Sequence, residues 1–454
     1  MSIAQVKRFR ERWNADGTFR EAIARDPDAT LGRYGIRVDP EAIRPLWDAA
    51  LAHLIENAEE RHRQYPLLKD FDEYLVSLTR IDLLKNVESS TNQNYAAWRR
   101  RQVARTASQF PKIHQDKLIH AGMAIELTQG CSVGCWFCGL AAAPLQGTFP
   151  RTPENAALWR GLLEAMGEIL GPAAASGFCY WGTEPFDNPD YEAFCEDFFD
   201  ILGVYPQTTT ARALSDPQRT RSLIRRSLEK GCTHNRFSIP SLAMLNRVHE
   251  EFSAEELEHV LLMVYTKESE RGFAVSGRAA TQRNLPSRKG FKFSSDVTIA
   301  CVSGFLISMV ERSVSLITPC KISADWPFGY MVYERAPFQD ARSFRNEVER
   351  MVRAHMPIGY PPGLTVRYRP DLEFEEFEDG FAVSTKYMTR RYDGHPYLRE
   401  LGNLIRKGTK TTEEIASVLE FYMAPPELVQ EAIDLAFQDG ILDEAPPTPR
   451  KAGD

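Results

Sequence analysis

No stretch of the chain approaches the ~20 uninterrupted apolar residues that a membrane-crossing helix needs, because charges or glycines break each apolar run. The opening residues, Met1-Ser-Ile-Ala-Gln-Val-Lys-Arg, lack the apolar core of an export signal. A cytoplasmic location and no membrane partner are expected. Positive charge is also short. The 55 Lys and Arg residues are outnumbered by 62 Asp and Glu, for a net charge of −7. That balance argues against broad binding to nucleic acid, which needs a basic surface. Cysteine is scarce, with eight in 454 residues. A chain this large without a signal segment is not a small disulfide-stapled domain, so metal binding or catalysis is the better use for those thiols. No internal repeat is present.

What the chain does contain changes in texture along its length. Its size predicts two or three domains. Residues 1–110 read as an α-helical amino-terminal domain: Phe9, Trp13, Phe19 and Ile23 recur at roughly helical spacing. Asp26-Pro27 looks like a cap with proline at the first helical position, and a long helical segment is expected from Glu41 to about His62. Residues 111–345 then alternate short apolar strands with helices. Strands are expected at Met123–Thr128, Gly177–Trp181, Thr208–Ala213, Asn235–Ile239, Phe273–Ser276, Val297–Cys301 and Ser315–Thr318. Helices are expected after Thr152-Pro153, Asn188-Pro189-Asp190 and Asp216-Pro217, and after the capping box Ser253-Ala-Glu-Glu256. Such alternation implies βα units around a parallel sheet, with ligands at the carboxyl ends of its strands. Residues 346–454 read as a small α+β module of winged-helix type. Its strands lie at Leu372–Phe377 and Phe381–Lys386, its helices begin at Pro396 and Thr411, and a third spans Pro426–Gln438. The proline-rich Ala445-Pro-Pro-Thr-Pro segment is expected to fray.

Three of the eight cysteines fall in Cys131-Ser-Val-Gly-Cys135-Trp-Phe-Cys138, directly after a strand. Four thiolates would close a zinc or iron–sulfur site. Three leave one iron of a [4Fe-4S] cluster without a protein ligand, so that a small molecule can chelate it. The zinc alternative would need a fourth ligand, and no Cys or His follows closely.

This spacing, with the aromatic Phe137 before the last cysteine, resembles the signature of the radical S-adenosylmethionine (AdoMet) superfamily. The resemblance implies a partial (β/α)6 barrel, one [4Fe-4S] cluster on Cys131, Cys135 and Cys138, and AdoMet bound at the unique iron. It also implies an external reductant such as flavodoxin or ferredoxin. Gly182-Thr183-Glu184-Pro, after the second strand, resembles the superfamily's segment that meets the AdoMet ammonium, though alone such a tripeptide is more often a turn. Ser238 resembles the ribose-contacting position of the fourth strand, against the plainer reading of a surface-strand serine. Arg278 is read either as a contact to the AdoMet carboxylate or as a solvated arginine. The absence of cysteine after Cys320 implies a single cluster, without the additional ones carried by some members.

Along its whole length the chain is similar to the proteusin-type radical AdoMet epimerases, which convert L- to D-residues in ribosomally made precursor peptides. The Trp136-Phe137 pair, the Gly-Thr-Glu-Pro segment and Thr318-Pro-Cys320 before Trp326-Pro-Phe-Gly carry that likeness. It implies abstraction of a Cα hydrogen by a 5′-deoxyadenosyl radical and return of a hydrogen atom from a cysteine thiol on the other face. Cys320, read as lying at a strand's exit toward the active rim, is the candidate donor. The carboxy-terminal module resembles precursor-recognition modules that bind a leader at an edge, and the basic loop with Arg283, Arg288, Lys289 and Lys292 could attract an acidic leader or be a solvated face. The rivals are a radical AdoMet enzyme that cross-links or cleaves a peptide, and an iron–sulfur regulator that binds DNA.

Overall fold

A computed structural model describes residues 2–77, 90–116, 118–269 and 272–446. The fold is mixed α/β, and among the described residues no barrel closes. The first unit is helical, as its spacing implies. Ile3–Ala15, Gly17–Arg25 and Pro27–Arg33 are helices, the last two capped by the side chains of Asp16 and Asp26. Phe9, Phe19 and Ile23 meet Phe71 and Tyr74 of the Pro66–Ser77 helix in one core. The long segment expected from Glu41 to His62 is instead broken into short pieces, with Pro45 inside a 3-10 turn that cannot extend as an α-helix.

The strands run as follows. β1 is Ala121–Glu126, β2 Thr128–Gln129 and β3 Gly147–Thr148. β4 is Thr209–Thr210, β5 Asn235–Ile239 and β6 Val260–Val264. β7 is Phe273–Ala274, β8 Phe293–Ser294 and β9 Val302–Ser308. β10 is Ser313–Pro319 and β11 Tyr330–Pro337. In the last module β12 is Glu373–Phe377, β13 Gly380–Ser384 and β14 Thr389–Tyr392.

β4, β5 and β6 form a parallel sheet, with the Pro217–Glu229 and Leu242–Glu251 helices covering one of its faces. The larger sheet has the order β1-β9-β10-β11. β1 and β9 are parallel, while β10 runs against β9 and β11 runs against β10. This antiparallel extension departs from the all-parallel expectation, because a tight turn at residues 309–312 joins β9 to β10 without a crossover helix. Of the expected strand Gly177–Trp181 only Phe178 pairs, through one parallel bridge to Ala124. The Val297–Cys301 strand starts later, at Val302. At Ser253 the capping-box bonds to Glu256 form in both directions, yet the chain turns straight into β6 with no helix.

One face of the large sheet packs on the helices Pro153–Leu170, Tyr191–Leu202 and Ala341–His355 through Met123, Ile125, Cys179, Phe305, Ile307 and Leu316. The boundary expected at residue 345 therefore falls inside a helix of this core. The other, inner face carries Ala124, Phe178, Val302 and Ile317, with Tyr180, Trp181, Leu306 and Tyr330 only partly covered. The helix Gln93–Gln109 belongs to this core too, with Tyr95 and Trp98 fully buried. It also carries the last module. Arg101 lies 3.9 Å over the Phe437 ring and pairs with Glu444, and Arg369 donates to the Ser108 hydroxyl. That module has its own core around Phe381, Leu401, Ile415 and Ile433, and Thr411 and Glu414 form the expected capping box. Among the described residues no helix is long and apolar enough to cross a membrane. The tail expected to fray lies, from residue 447, outside the described residues.

Candidate functional site

The cysteine segment leaves the carboxyl edge of β1 through the short strand β2 and loops back at β3. It makes little regular structure, so its shape comes from side chains that reach into it. The Ser132 N–H and hydroxyl both donate to Asp187, at 2.8 and 2.6 Å. Asp187 also accepts from Arg212 at 2.7 Å. From the other side, Arg278 donates through Nε to the Cys135 carbonyl at 2.8 Å and through Nη1 to the Ala142 carbonyl at 2.7 Å. Its own N–H donates to the Cys138 carbonyl at 2.9 Å. Gly277 and Gly139 make the close approach possible. A Cβ on Gly277, whose φ is +50°, would lie 2.5 Å from the Gly139 carbonyl oxygen.

Arg278 is thus not the solvated arginine of the plainer reading. It is a clamp on the backbone of the cysteine loop. Bonds from an ionised donor are the stronger kind, each contributing about 1.5–3 kcal/mol.

The Trp136-Phe137 pair anchors the same loop. Phe137 stacks on Tyr265 with ring centroids 4.3 Å apart, and Trp136 packs against Phe273 and Phe291 at 4.9 and 5.1 Å. Arg288 covers the far side of Trp136, its guanidinium 3.9 Å from the ring. The basic loop therefore commits Arg288 to the motif rather than to a solvated face. Tyr265 follows β6, so this stacking draws the motif toward the carboxyl end of the β4–β5–β6 sheet. Ser238 lies there, half-buried, alternating with Phe237 and Ile239, which face the helices.

All three motif thiols are partly accessible. Burial raises Cys131, while the N–H groups of Val133 and Gly134, aimed at its sulfur, pull it back. Burial, and then the neighbouring Cys131 and Cys138, push Cys135 up to about 11. Among the described residues no three His, Cys, Asp or Glu side chains converge where a single metal ion would sit. A cubane takes each thiolate on a separate iron and does not need such convergence. Accessible sulfurs, N–H donors aimed at one of them, and mutual repulsion that a cation would relieve all fit the expected cluster.

Glu184 is buried at the end of the Gly182-Thr183-Glu184 segment, with only 3% of its surface exposed. Its Oε1 accepts from the Thr210 hydroxyl and the Phe186 N–H, and its Oε2 accepts from the Ala211 N–H at 2.9 Å. Burial raises its pKa and these donors lower it. It is a latch between the segment and β4, close enough to Cys131 and Cys135 to act on both electrostatically. Thr183 and Gly182 remain half-buried on the open side.

Cys320 is not brought to this rim. β10 runs against β1 and β9, so its end lies beside their amino ends, at the opposite edge of the sheet. There the Cys320 N–H donates to the Gly329 carbonyl, and Arg105 caps the Pro319 carbonyl at 3.1 Å. The residue is 4% exposed, and burial pushes its thiol up to about 12. The expectation of a strand exit toward the active rim fails because it presumed a parallel β10. Cys301 precedes β9 at that same far edge, Cys179 faces the helices, and Cys195 and Cys232 lie in the same helix-side core.

Two acidic residues of the site were missed. Asp187 lies just past the Gly-Thr-Glu segment and had no motif to mark it. Glu126 had a signal: it is the one charge inside the apolar run Met123–Thr128. It ends β1 on the inner face and accepts from the Gly182 N–H through Oε1 at 2.8 Å.

No family model matches the chain. A protein of Sinorhizobium fredii described as uncharacterized protein y4wI is 37% identical over 453 residues, which takes in 98% of this chain and 88% of that one. Among solved structures, BtrN in complex with AdoMet and 2-DOIA is similar with a TM-score of 0.29 and 13% identity, over 43% of this chain and 71% of BtrN. That likeness is too loose to argue from.

Proposed function

The chain belongs to the family of protein y4wI, and we propose that it is a radical AdoMet enzyme. The observation that carries the reading is the loop of three half-buried thiols at the carboxyl edge of β1, its backbone clamped by Arg278 and Asp187. Cys131, Cys135 and Cys138 would hold one [4Fe-4S] cluster. When bound, the cluster and AdoMet together supply a carbon-centred radical that removes hydrogen from an unactivated C–H bond. The protein's part is to position and to exclude. Phe137 on Tyr265 and Trp136 under Arg288 shield one flank of the thiol loop from water. Gly182 and Thr183 present open backbone beside the loop, and Ser238 offers a hydroxyl from β5. Glu184, whose oxygens are already occupied, would act by fixing that segment and by setting negative potential next to it.

The test is anaerobic reconstitution with iron and sulfide, followed by reductant and AdoMet. Formation of 5′-deoxyadenosine and methionine is expected. None from a fully loaded protein would return the chain to the reading of an iron–sulfur regulator.

For the substrate we take a precursor peptide, with the carboxy-terminal module as the leader site and L-to-D epimerisation as the finer activity. The place of Cys320 favours a second reading, peptide cross-linking or cleavage, which needs no thiol to return a hydrogen atom. Mass spectrometry in deuterated water separates them. Inversion adds one deuteron per residue, whereas cross-linking or cleavage changes the mass of the product itself.

A further inference from the structure

The inner face of the large sheet carries one carboxyl group among aromatic rings, and nothing in the site described so far uses it fully. Glu126 ends β1 beside the cysteine loop. Only one of its oxygens is engaged, by the Gly182 N–H. The residue is partly covered and lies on the same side of β1 as Ala124, on the inner face. Arg335, whose charge acts on Glu126 only weakly, is committed elsewhere: it pairs with Glu311 at 2.6 Å and donates to the Ser313 hydroxyl. Glu126 is left with a like charge, Glu311, and without a cation of its own.

Rings stand around it. Trp181 directly precedes the Gly182 that bonds Glu126, and lies 5.7 Å from Tyr330 across the face in an edge-on arrangement. Phe178 stacks under Trp181 at 6.4 Å and packs on Tyr180 at 4.8 Å. Tyr330 is close enough that the Glu126 charge raises its phenol, second to burial. Trp181, Tyr180 and Tyr330 are all only partly covered.

An unpaired carboxylate beside accessible aromatic faces is the chemistry that recognises an ammonium group. The rings attract the cation through their quadrupoles, and the carboxylate supplies the charge-assisted bond. We propose that Glu126, with Trp181 and Tyr330, binds a primary ammonium group on the substrate, of the lysine side-chain type, and so selects an amine-bearing residue for reaction. The proposal rests on the radical AdoMet reading only in placing the substrate on this face.

Burial holds the Glu126 carboxyl up to about 7. The carboxylate is the form that binds, so affinity for an amine should be full above that pH and fall as the pH drops through it. At one unit below, about a tenth of the groups are ionised, for about a tenfold loss.

The probes are Nα-acetyl-lysine N-methylamide and its uncharged isostere Nα-acetyl-norleucine N-methylamide. They are titrated against the cluster-loaded protein with tryptophan fluorescence as the readout. The lysine probe should bind about tenfold tighter at pH 8, with the gap closing toward pH 6. Glu126→Gln keeps an oxygen for the Gly182 N–H but carries no charge, so it should lose the preference. Equal binding of the two probes would overturn the proposal, as would a preference that survives in Glu126→Gln. If Glu126→Gln instead loses AdoMet, the residue belongs to the cofactor's cradle and the proposal is also overturned. Deoxyadenosine formation by the unaltered protein is measured alongside, so a failure of the radical AdoMet reading registers separately.

Discussion

The two edges of the β1–β9–β10–β11 sheet use similar side chains to opposite ends. At the carboxyl edge of β1 an arginine, an aspartate and three cysteines meet on a loop that stays partly open. At the amino edge a cysteine, a histidine and two arginines are sealed. Arg99 donates to the His120 and Ile119 carbonyls, and His120 sits between the hydroxyls of Thr106 and Ser303 at 3.1 and 2.7 Å. Arg105 closes the end of β10. The arginines at both edges hold backbone carbonyls. What differs is whether the reactive groups between them are left a free, accessible valence. The open edge leaves three partly accessible thiols and one carboxylate oxygen, whereas the sealed edge pairs or buries Cys320, His120, Arg99 and Arg105.

Substitutions can break this contrast. The largest effect is expected at the motif. Cys135→Ala should abolish deoxyadenosine formation while leaving the circular dichroism spectrum intact, because the loop's frame rests on backbone bonds rather than on that sulfur. Arg278→Ala should come next. Loss of two charge-assisted bonds, each about 1.5–3 kcal/mol, should lower the iron retained per chain severalfold after desalting, with Arg278→Lys intermediate because it has no fork. Glu184→Gln should destabilise by about 1–3 kcal/mol in chemical denaturation, since its amide turns a donor toward either the Ala211 or the Thr210 donor.

At the sealed edge the measurement is pH. Burial depresses His120 from 6.5 to about 3. The unfolded chain therefore binds the extra proton first, and folding stability should fall as pH drops below 6.5 toward 3. His120→Gln should flatten part of that slope. The smallest effect is expected at Cys320: Cys320→Ala should leave deoxyadenosine formation unchanged and cost about 1 kcal/mol of stability. A Cys320→Ala enzyme that forms deoxyadenosine but no longer acts on its peptide would undo the contrast between the edges.

Much of the open edge could be read from residue order because its features are local. The Cys131–Cys138 spacing, Thr152-Pro153 and Asp216-Pro217 as helix starts, and the Thr411 box each depend on a few neighbouring residues, and the helices begin there. The sealed edge depends on pairing direction. Ser315–Thr318 reads as a strand in either direction, and only the short turn before it makes β10 antiparallel and carries Cys320 away. Arg278 was unreadable for a related reason. It lies 143 residues from the carbonyl it holds, and a partner that distant leaves no periodic mark. The Ser253 box shows the converse, since its local signal was correct in its bonds and yet no helix followed.

Arg278 grips carbonyl oxygens and not sulfur. A loop held in that way keeps its shape whatever its thiols carry, so cargo and container are separable. Air should strip iron from such a site without unfolding it, and fresh iron and sulfide should restore it at room temperature with no denaturation step. The clamp then functions as a mould, ready before the cluster is built and still there after it is lost.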